Sequence, residues 1–587
     1  LKSSLDELVL VIDRLISRLD ELESRVAALE RVQDARPAEP HQVTAVPPVA
    51  IVASTVATGA KLSVIPAPQA HPLAQLSRSS NPMPVIGKVF LGVAGAYLLR
   101  ALAESGSLPM WAVAGAAMLY AGAWLLAAAR TASPPIFAGA SYATTAAVIL
   151  PPMLWELTLR FKVMPAWAAA TAVVVFVALA AALAWKQKLA SVVVSPVAFS
   201  AVAALALLVG THDPFPFVTA LLLMAVIAEA AAGTGRWLAL RPLVALPLDL
   251  AVFALVLIYT GGNGVSPDYK PLAGADLLEL FVALPTIYGV SVLARTLVLR
   301  RTIGVFEAGQ MSAALLLAGF GILRTTHNSA AVALGVFCLG AAAGCYWLAY
   351  SRFEGAAFQR SYHVFSTWAI ALAMAGSLLC FPASVNVFFL GAGAIAATLI
   401  GVRSGQVALA FHGAVYLGAV ALISGALQYG FELSIGKPPQ AGGWLLWIAF
   451  ALTMIGYALA WRSADAQEQQ WPHSVLRLAL AALATFAALT NVLTAFHIAF
   501  PGASAARIVA GRTLVICLLA VLQGWSGSRF RRPELLWLAY AAIAFCTIKL
   551  LLEDLRSGSA VTIAFSFFCY GMVWVLVPRF SRATRTS

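Results

Sequence analysis

From about Val85 to Phe580 the chain is an almost unbroken series of apolar stretches, each near twenty residues long and separated by short polar turns. Helix rises about 1.5 Å per residue, so about twenty residues cross the roughly 30 Å hydrocarbon core of a bilayer. Eighteen spans are expected, beginning near residues 85, 108, 134, 163, 189, 215, 240, 275, 302, 328, 362, 383, 405, 443, 475, 504, 533 and 558. A barrel strand needs only about ten residues of alternating character, whereas these runs are continuously apolar. The expected fold class is all-α: a polytopic transmembrane helical bundle of about 18 spans behind an N-terminal coiled-coil helix.

The first 36 residues carry a different pattern. Leu5, Ile12, Leu19 and Val26 fall at a heptad a positions, and Leu8, Leu15, Leu22 and Leu29 at d. Leucine at every d, with an isoleucine and a valine among the a positions, favours two parallel strands. In that register Arg18 and Arg25 at g would face Glu23 and Glu30 at the partner's e positions. A homodimer through residues 1–36 is the expectation; the alternative is an amphipathic helix folded back on its own membrane domain. Residues 37–84 follow as a Pro/Ala-rich disordered linker, with Pro37, Pro40, Pro47, Pro48, Pro66, Pro68, Pro72, Pro82 and Pro84 too frequent for a helix to persist. Residues 85–580 form the multi-pass domain and 581–587 a short tail. The opening residues are charged and amphipathic, unlike a cleavable signal peptide.

Composition agrees with lipid as the main solvent. Of the 587 residues, 61% are hydrophobic and 11% charged, against about 45–50% and about 25% in soluble domains. The formal charge of +13 would suit nucleic acid if it were gathered on one face. It is instead spread through the turns: if the N-terminus lies on one side, that side collects about 21 lysines and arginines and the other about 8. The positive-inside rule then places both termini in the cytoplasm of a cell with an inner membrane, with no nucleic-acid partner expected. The six cysteines sit singly in apolar segments, which suits packing and no disulfide framework.

Two stretches carry a family resemblance. VIGKVFLGVAGAYLLRALAESG (residues 85–106) resembles the first membrane helix of the bacterial membrane proteins grouped as domain-of-unknown-function family 2339. KLLLEDLR (549–556), followed by a helix ending YGMVW (570–574), resembles that family's closing hairpin. The layout of coil, Pro-rich linker and many spans is similar too, although the intervening helices here are richer in alanine. The resemblance implies location and layout, and no established activity.

Candidate chemistry lies in ionisable groups within apolar runs, each of which costs about 2.5–3.5 kcal/mol or more at a helix centre unless partnered or wet. Asp249 falls near the middle of its span, behind Pro242 and Pro247, as a proton or cation site beside a broken helix would. Glu307 and Gln310 are one turn apart after Arg295, Arg300 and Arg301, where an ordinary interfacial ion pair is the favoured reading over a functional one. His412 could relay protons or be structural, Arg512 is the natural counter-ion or anion contact, and Glu229 could snorkel to the boundary. Lys549, Glu553, Asp554 and Arg556 gather at one membrane exit. Gly340 with Gly344, and Gly401 with Gly405, have the spacing of close helix contacts. No metal or cofactor motif is present, and none is expected.

Three functions follow as expectations. The first is transport or flipping of a small or lipid-linked cell-envelope component. The second is a membrane-embedded transferase on a lipid-linked substrate, with Asp268, Asp276, Glu279 and Glu432 as its loop acids. The third is a scaffold that gathers partners through the coil.

Overall fold

The computed structural model describes residues 83–583, apart from 106–108, 131–135, 188–189, 236–237, 262–267, 354–357, 438–443, 463–470, 503 and 558–559. All of them belong to the second of two units, His71–Ser587. The expected coiled coil, with Leu8, Ile12, Leu15, Leu19, Leu22, Val26 and Leu29 in its core, lies outside the described residues, as does the linker up to residue 82.

Among the described residues there is no strand, and nineteen helices have nine residues or more. The first nine are α1 (Met83–Glu104), α2 (Met110–Arg130), α3 (Ile136–Trp155), α4 (Ala166–Gln187), α5 (Ala190–Thr211), α6 (Pro214–Gly233), α7 (Leu240–Thr260), α8 (Gly274–Leu293) and α9 (Val305–Thr325). Then come α10 (Ala331–Arg352), α11 (Gln359–Cys380), α12 (Ala383–Ser404), α13 (Val407–Ile423), α14 (Ala426–Ser434) and α15 (Trp444–Arg462). The last four are α16 (Trp471–Ala499), α17 (Ala505–Arg529), α18 (Pro533–Lys549) and α19 (Ala560–Ala583). Each expected span has a helix starting within four residues of it. Punctuation sets the ends: Pro214 and Pro533 occupy first turns, where no intrahelical N–H is needed, and Gly405 ends α12 in the left-handed conformation.

The multi-pass character holds, and not all of the eighteen expected crossings are accounted for. Among the described residues, fourteen helices are long and apolar enough to cross a membrane, or fifteen if one bent pair counts as a single span. That pair is α13 and α14, which meet at 69°. The break sits at Ser424 and Gly425, whose φ of +74° glycine adopts without strain. The linker boundary shifts as well, since α1 already begins at Met83, and α19 continues to Ala583, into the expected tail.

Alanine-rich seams let the helices approach. Helices α2 to α9 close around Ala143, Ala169, Phe217, Leu248 and Phe281, all fully buried. A second cluster joins α10 to α16, and a third joins α17, α18 and α19. The glycine expectation needs correction at α10. Gly340 and Gly344 face open space, and the contact with α11 is made by Gly335 and Gly376, where a Cβ on Gly376 would lie 2.8 Å from the Gly335 carbonyl. Gly401 does meet α13, at Ala410. Beside Gly340, the outward face of α10 carries Val336, Phe337 and Trp347, each more than half exposed, as suits contact with lipid.

Candidate functional site

Four helix ends converge where α6 and α8 finish and α7 and α9 begin. Arg241 donates Nε and Nη2 to the two carboxylate oxygens of Glu229, both at 2.8 Å, and Nη1 to Glu307. Glu229 also accepts from the Ser291 hydroxyl at 2.5 Å, and Arg295 approaches Glu307 at 3.2 Å. The Phe306 ring lies 4.7 Å beneath the Arg241 guanidinium. Arg241, Glu229 and Glu307 are all buried. Two cations and two anions cancel, and the forked guanidinium satisfies both carboxylates at once, which makes so deep a burial tolerable. Glu229 therefore does not snorkel: Arg241, at the start of the next helix, pairs with it in the protein interior.

Asp249 lies nine residues beyond the start of α7, about 14 Å along the helix axis. The expected helix break beside it is absent. Pro242 sits in the first turn and Pro247 is accommodated within a continuous helix. Both Asp249 carboxylate oxygens accept from Nε2 of Gln310, at 2.9 Å. Among the described residues no cation pairs with it. Gln310 is one turn from Glu307 on α9, so the Asp249 pair forms an inner layer beneath the charged quartet.

A second neutral quartet lies where α18 ends and α17 begins. Arg512, 1% exposed, donates to Glu553 and, at 3.4 Å, to the carbonyl of Ser434 at the end of α14. Lys549 donates to Asp554 at 2.5 Å, to the Thr513 hydroxyl at 2.8 Å and to the Val509 carbonyl at 3.1 Å. Asp554 also accepts from Thr513 at 2.6 Å. Gly436, at φ +90°, packs against the Arg512 guanidinium. Arg512 thus meets the far end of α14, the short arm of the bent pair, while the break itself lies at Gly425 and none adjoins Asp249. Arg556 is exposed beyond the quartet.

A third, more exposed quartet ties α1 to α3: Arg100 pairs with Glu104 and Glu156, and Arg160 with Glu104. Each quartet coincides with a π-helical turn, at Glu156–Arg160, Ala294–Val298 and Leu550–Asp554. A π turn inserts one residue and rotates the helix end, which brings charges from successive turns onto one partner.

His412 joins none of these groups. Its Nδ1 is 3.1 Å from the Tyr346 hydroxyl, itself 2.9 Å from that of Tyr416, linking α10 to α13. Asp249, His412 and Arg512 thus belong to three separate hydrogen-bonded sets. Of the acids expected in loops, Glu432 instead lies in α14, paired with Lys437 at 3.3 Å, and Asp276 and Glu279 lie in the first two turns of α8. Among the described residues, no three His, Cys, Asp or Glu side chains gather closely enough to hold a metal ion. The Cys517 and Cys546 sulfurs lie 3.7 Å apart between α17 and α18, both buried.

Helices α16, α17 and α19 leave an open cavity of about 580 Å³ beside the Arg512 quartet. Phe496, Phe500, Arg507, Gly511, Val561 and Phe565 line it. A void of about 10 Å³ lies under α14, too small for a ligand. Reasoning from sequence missed the Glu229–Arg241 pair and the cavity. The first had a signal, because helix ends on one membrane side carried charges of both signs; the second had none, since it depends on how three helices splay. No family model, curated protein or solved structure matches the chain.

Proposed function

We propose that the chain is an inner-membrane carrier that moves or flips a small or lipid-linked envelope component, with Asp249 as its proton-carrying group. The observation that carries this reading is the Asp249 carboxylate, deep in α7 and met by the Gln310 amide with no cation partner among the described residues. A carboxylate so placed changes the local balance of charge by a full unit when it gains or loses a proton. The quartet one layer away is already neutral within itself, so it leaves that change uncompensated. The excess of basic residues on one side supports cytoplasmic termini. The similarity of residues 85–106 and 549–574 to domain-of-unknown-function family 2339 supports a bacterial envelope setting.

The test is transbilayer movement of a fluorescent phosphatidylglycerol in proteoliposomes under an imposed pH gradient. The wild-type chain is expected to move the probe faster than empty vesicles, and Asp249→Asn to abolish the gradient dependence while melting at the wild-type temperature. Movement that ignores the substitution removes Asp249 from the mechanism. Wild-type vesicles no faster than empty ones count against a lipid cargo.

A further inference from the structure

The cavity between α16, α17 and α19 has the volume of an organic-ligand site, which typically runs about 300–1,000 Å³. Its lining is mostly apolar, with the rings of Phe496, Phe500 and Phe565 and the side chain of Val561. Arg507 is the charged residue among the lining groups, and among the described residues it has no ion pair. The neighbouring charges do not offset it, because Arg512 is taken by Glu553 and Lys549 by Asp554. The site therefore has one uncompensated positive charge at the mouth of an apolar hollow.

Its depth follows from chain position. Arg507 is in the first turn of α17 and Val561 in the first turn of α19, so the cavity opens where helices meet the membrane surface. Phe500 is 56% and Val561 79% exposed on its rim, so its apolar wall is continuous with the lipid-facing surface. A soluble anion would find one arginine and no further donor side chain except Thr562. An amphiphile would satisfy both halves. Gly511 lets the Phe496 ring seat against α17 and stay out of the hollow, since a Cβ there would strike that ring.

We infer that this cavity binds an anionic phospholipid, with its phosphate at Arg507 and an acyl chain against Phe496 and Phe565. The site goes beyond the carrier reading and does not depend on it.

The experiment is native mass spectrometry of the full chain in detergent with phosphatidylglycerol or phosphatidylcholine of the same acyl composition. Wild type should retain phosphatidylglycerol about fivefold better, the discrimination expected of one basic residue at a membrane surface. Arg507→Gln, an exposed position with no ion pair to lose, should bring phosphatidylglycerol down to the phosphatidylcholine level. Gly511→Leu, which drives Phe496 into the hollow, should release both lipids; if it does not fold, Arg507→Gln decides alone. An undiminished preference in Arg507→Gln overturns the assignment. Displacement of phosphatidylglycerol by millimolar inorganic phosphate overturns it too, by showing that the anion alone is bound. Asp249→Asn should retain the lipid, so this site and the carrier reading stand or fall separately.

Discussion

Replacing Arg241 with methionine keeps much of the side chain's volume and removes its charge. Three N–H···O contacts disappear, two to Glu229 and one to Glu307. Glu307 keeps Arg295 at 3.2 Å, but Glu229 keeps only the Ser291 hydroxyl. Each charge-assisted bond is worth about 1.5–3 kcal/mol, yet the three share one guanidinium and do not add. The relevant scale is that of a buried pair broken on one side, about 3–5 kcal/mol, most of it the burden of an unpaired carboxylate. At about 1.4 kcal/mol per factor of ten, the folded-to-unfolded ratio should fall by about two to three and a half orders of magnitude. Reversible unfolding in bicelles or mixed micelles measures this directly. The double variant Arg241→Met with Glu229→Gln removes the stranded charge and should recover more than half of the loss. A single-variant loss below about 1 kcal/mol, the range of an exposed pair, would refute the account. So would a double variant as unstable as the sum of the two singles.

Gly436→Ala should destabilise by about 1–3 kcal/mol from its left-handed backbone alone, and it also displaces the Arg512 guanidinium. A thermal melt followed by tryptophan fluorescence would show it, and an unchanged melt would mean that Arg512 is not held against this turn. On α10, Gly335→Leu should cost about 1–3 kcal/mol by forcing α11 away, whereas Gly340→Leu should stay within about 0.5 kcal/mol. Equal effects at the two glycines would contradict the packing of α10 against α11.

Helix positions were legible because crossing a bilayer demands length and continuous apolarity, and both are written locally. The bend after α13 had a local signal as well: a helix carried from 405 to 434 would be about 45 Å long, well beyond the hydrocarbon thickness, and Ser424-Gly425 offers the break. Which face of a helix is buried was not legible. Gly340 and Gly344 have the spacing of a contact, and Gly335 with Gly376 makes one, because facing depends on the rotation of two helices and not on spacing within either. The candidate polar residues were found one by one, since an ionisable group in an apolar run is conspicuous. Their grouping was not. Asp249 meets Gln310 across 61 positions, and Arg512 meets Glu553 across 41, so neither pairing is a pattern that a window along the chain can hold.

The sequence separations within the quartets also set a timetable for synthesis. Glu229 and Arg241 are 12 residues apart on consecutive helices, so at about 5–20 residues per second the second charge follows the first within roughly 1–2 s. The hairpin of α6 and α7 can thus enter the bilayer with its strongest charge pair already formed. Arg512 has no such local help. Glu553 leaves the ribosome about 2–8 s later, and until then the most deeply buried arginine among the described residues lacks its carboxylate partner. The closing hairpin is therefore the step at which α17 can settle to its final depth, and a chain truncated before residue 553 would leave that helix stranded with its charge at the membrane surface.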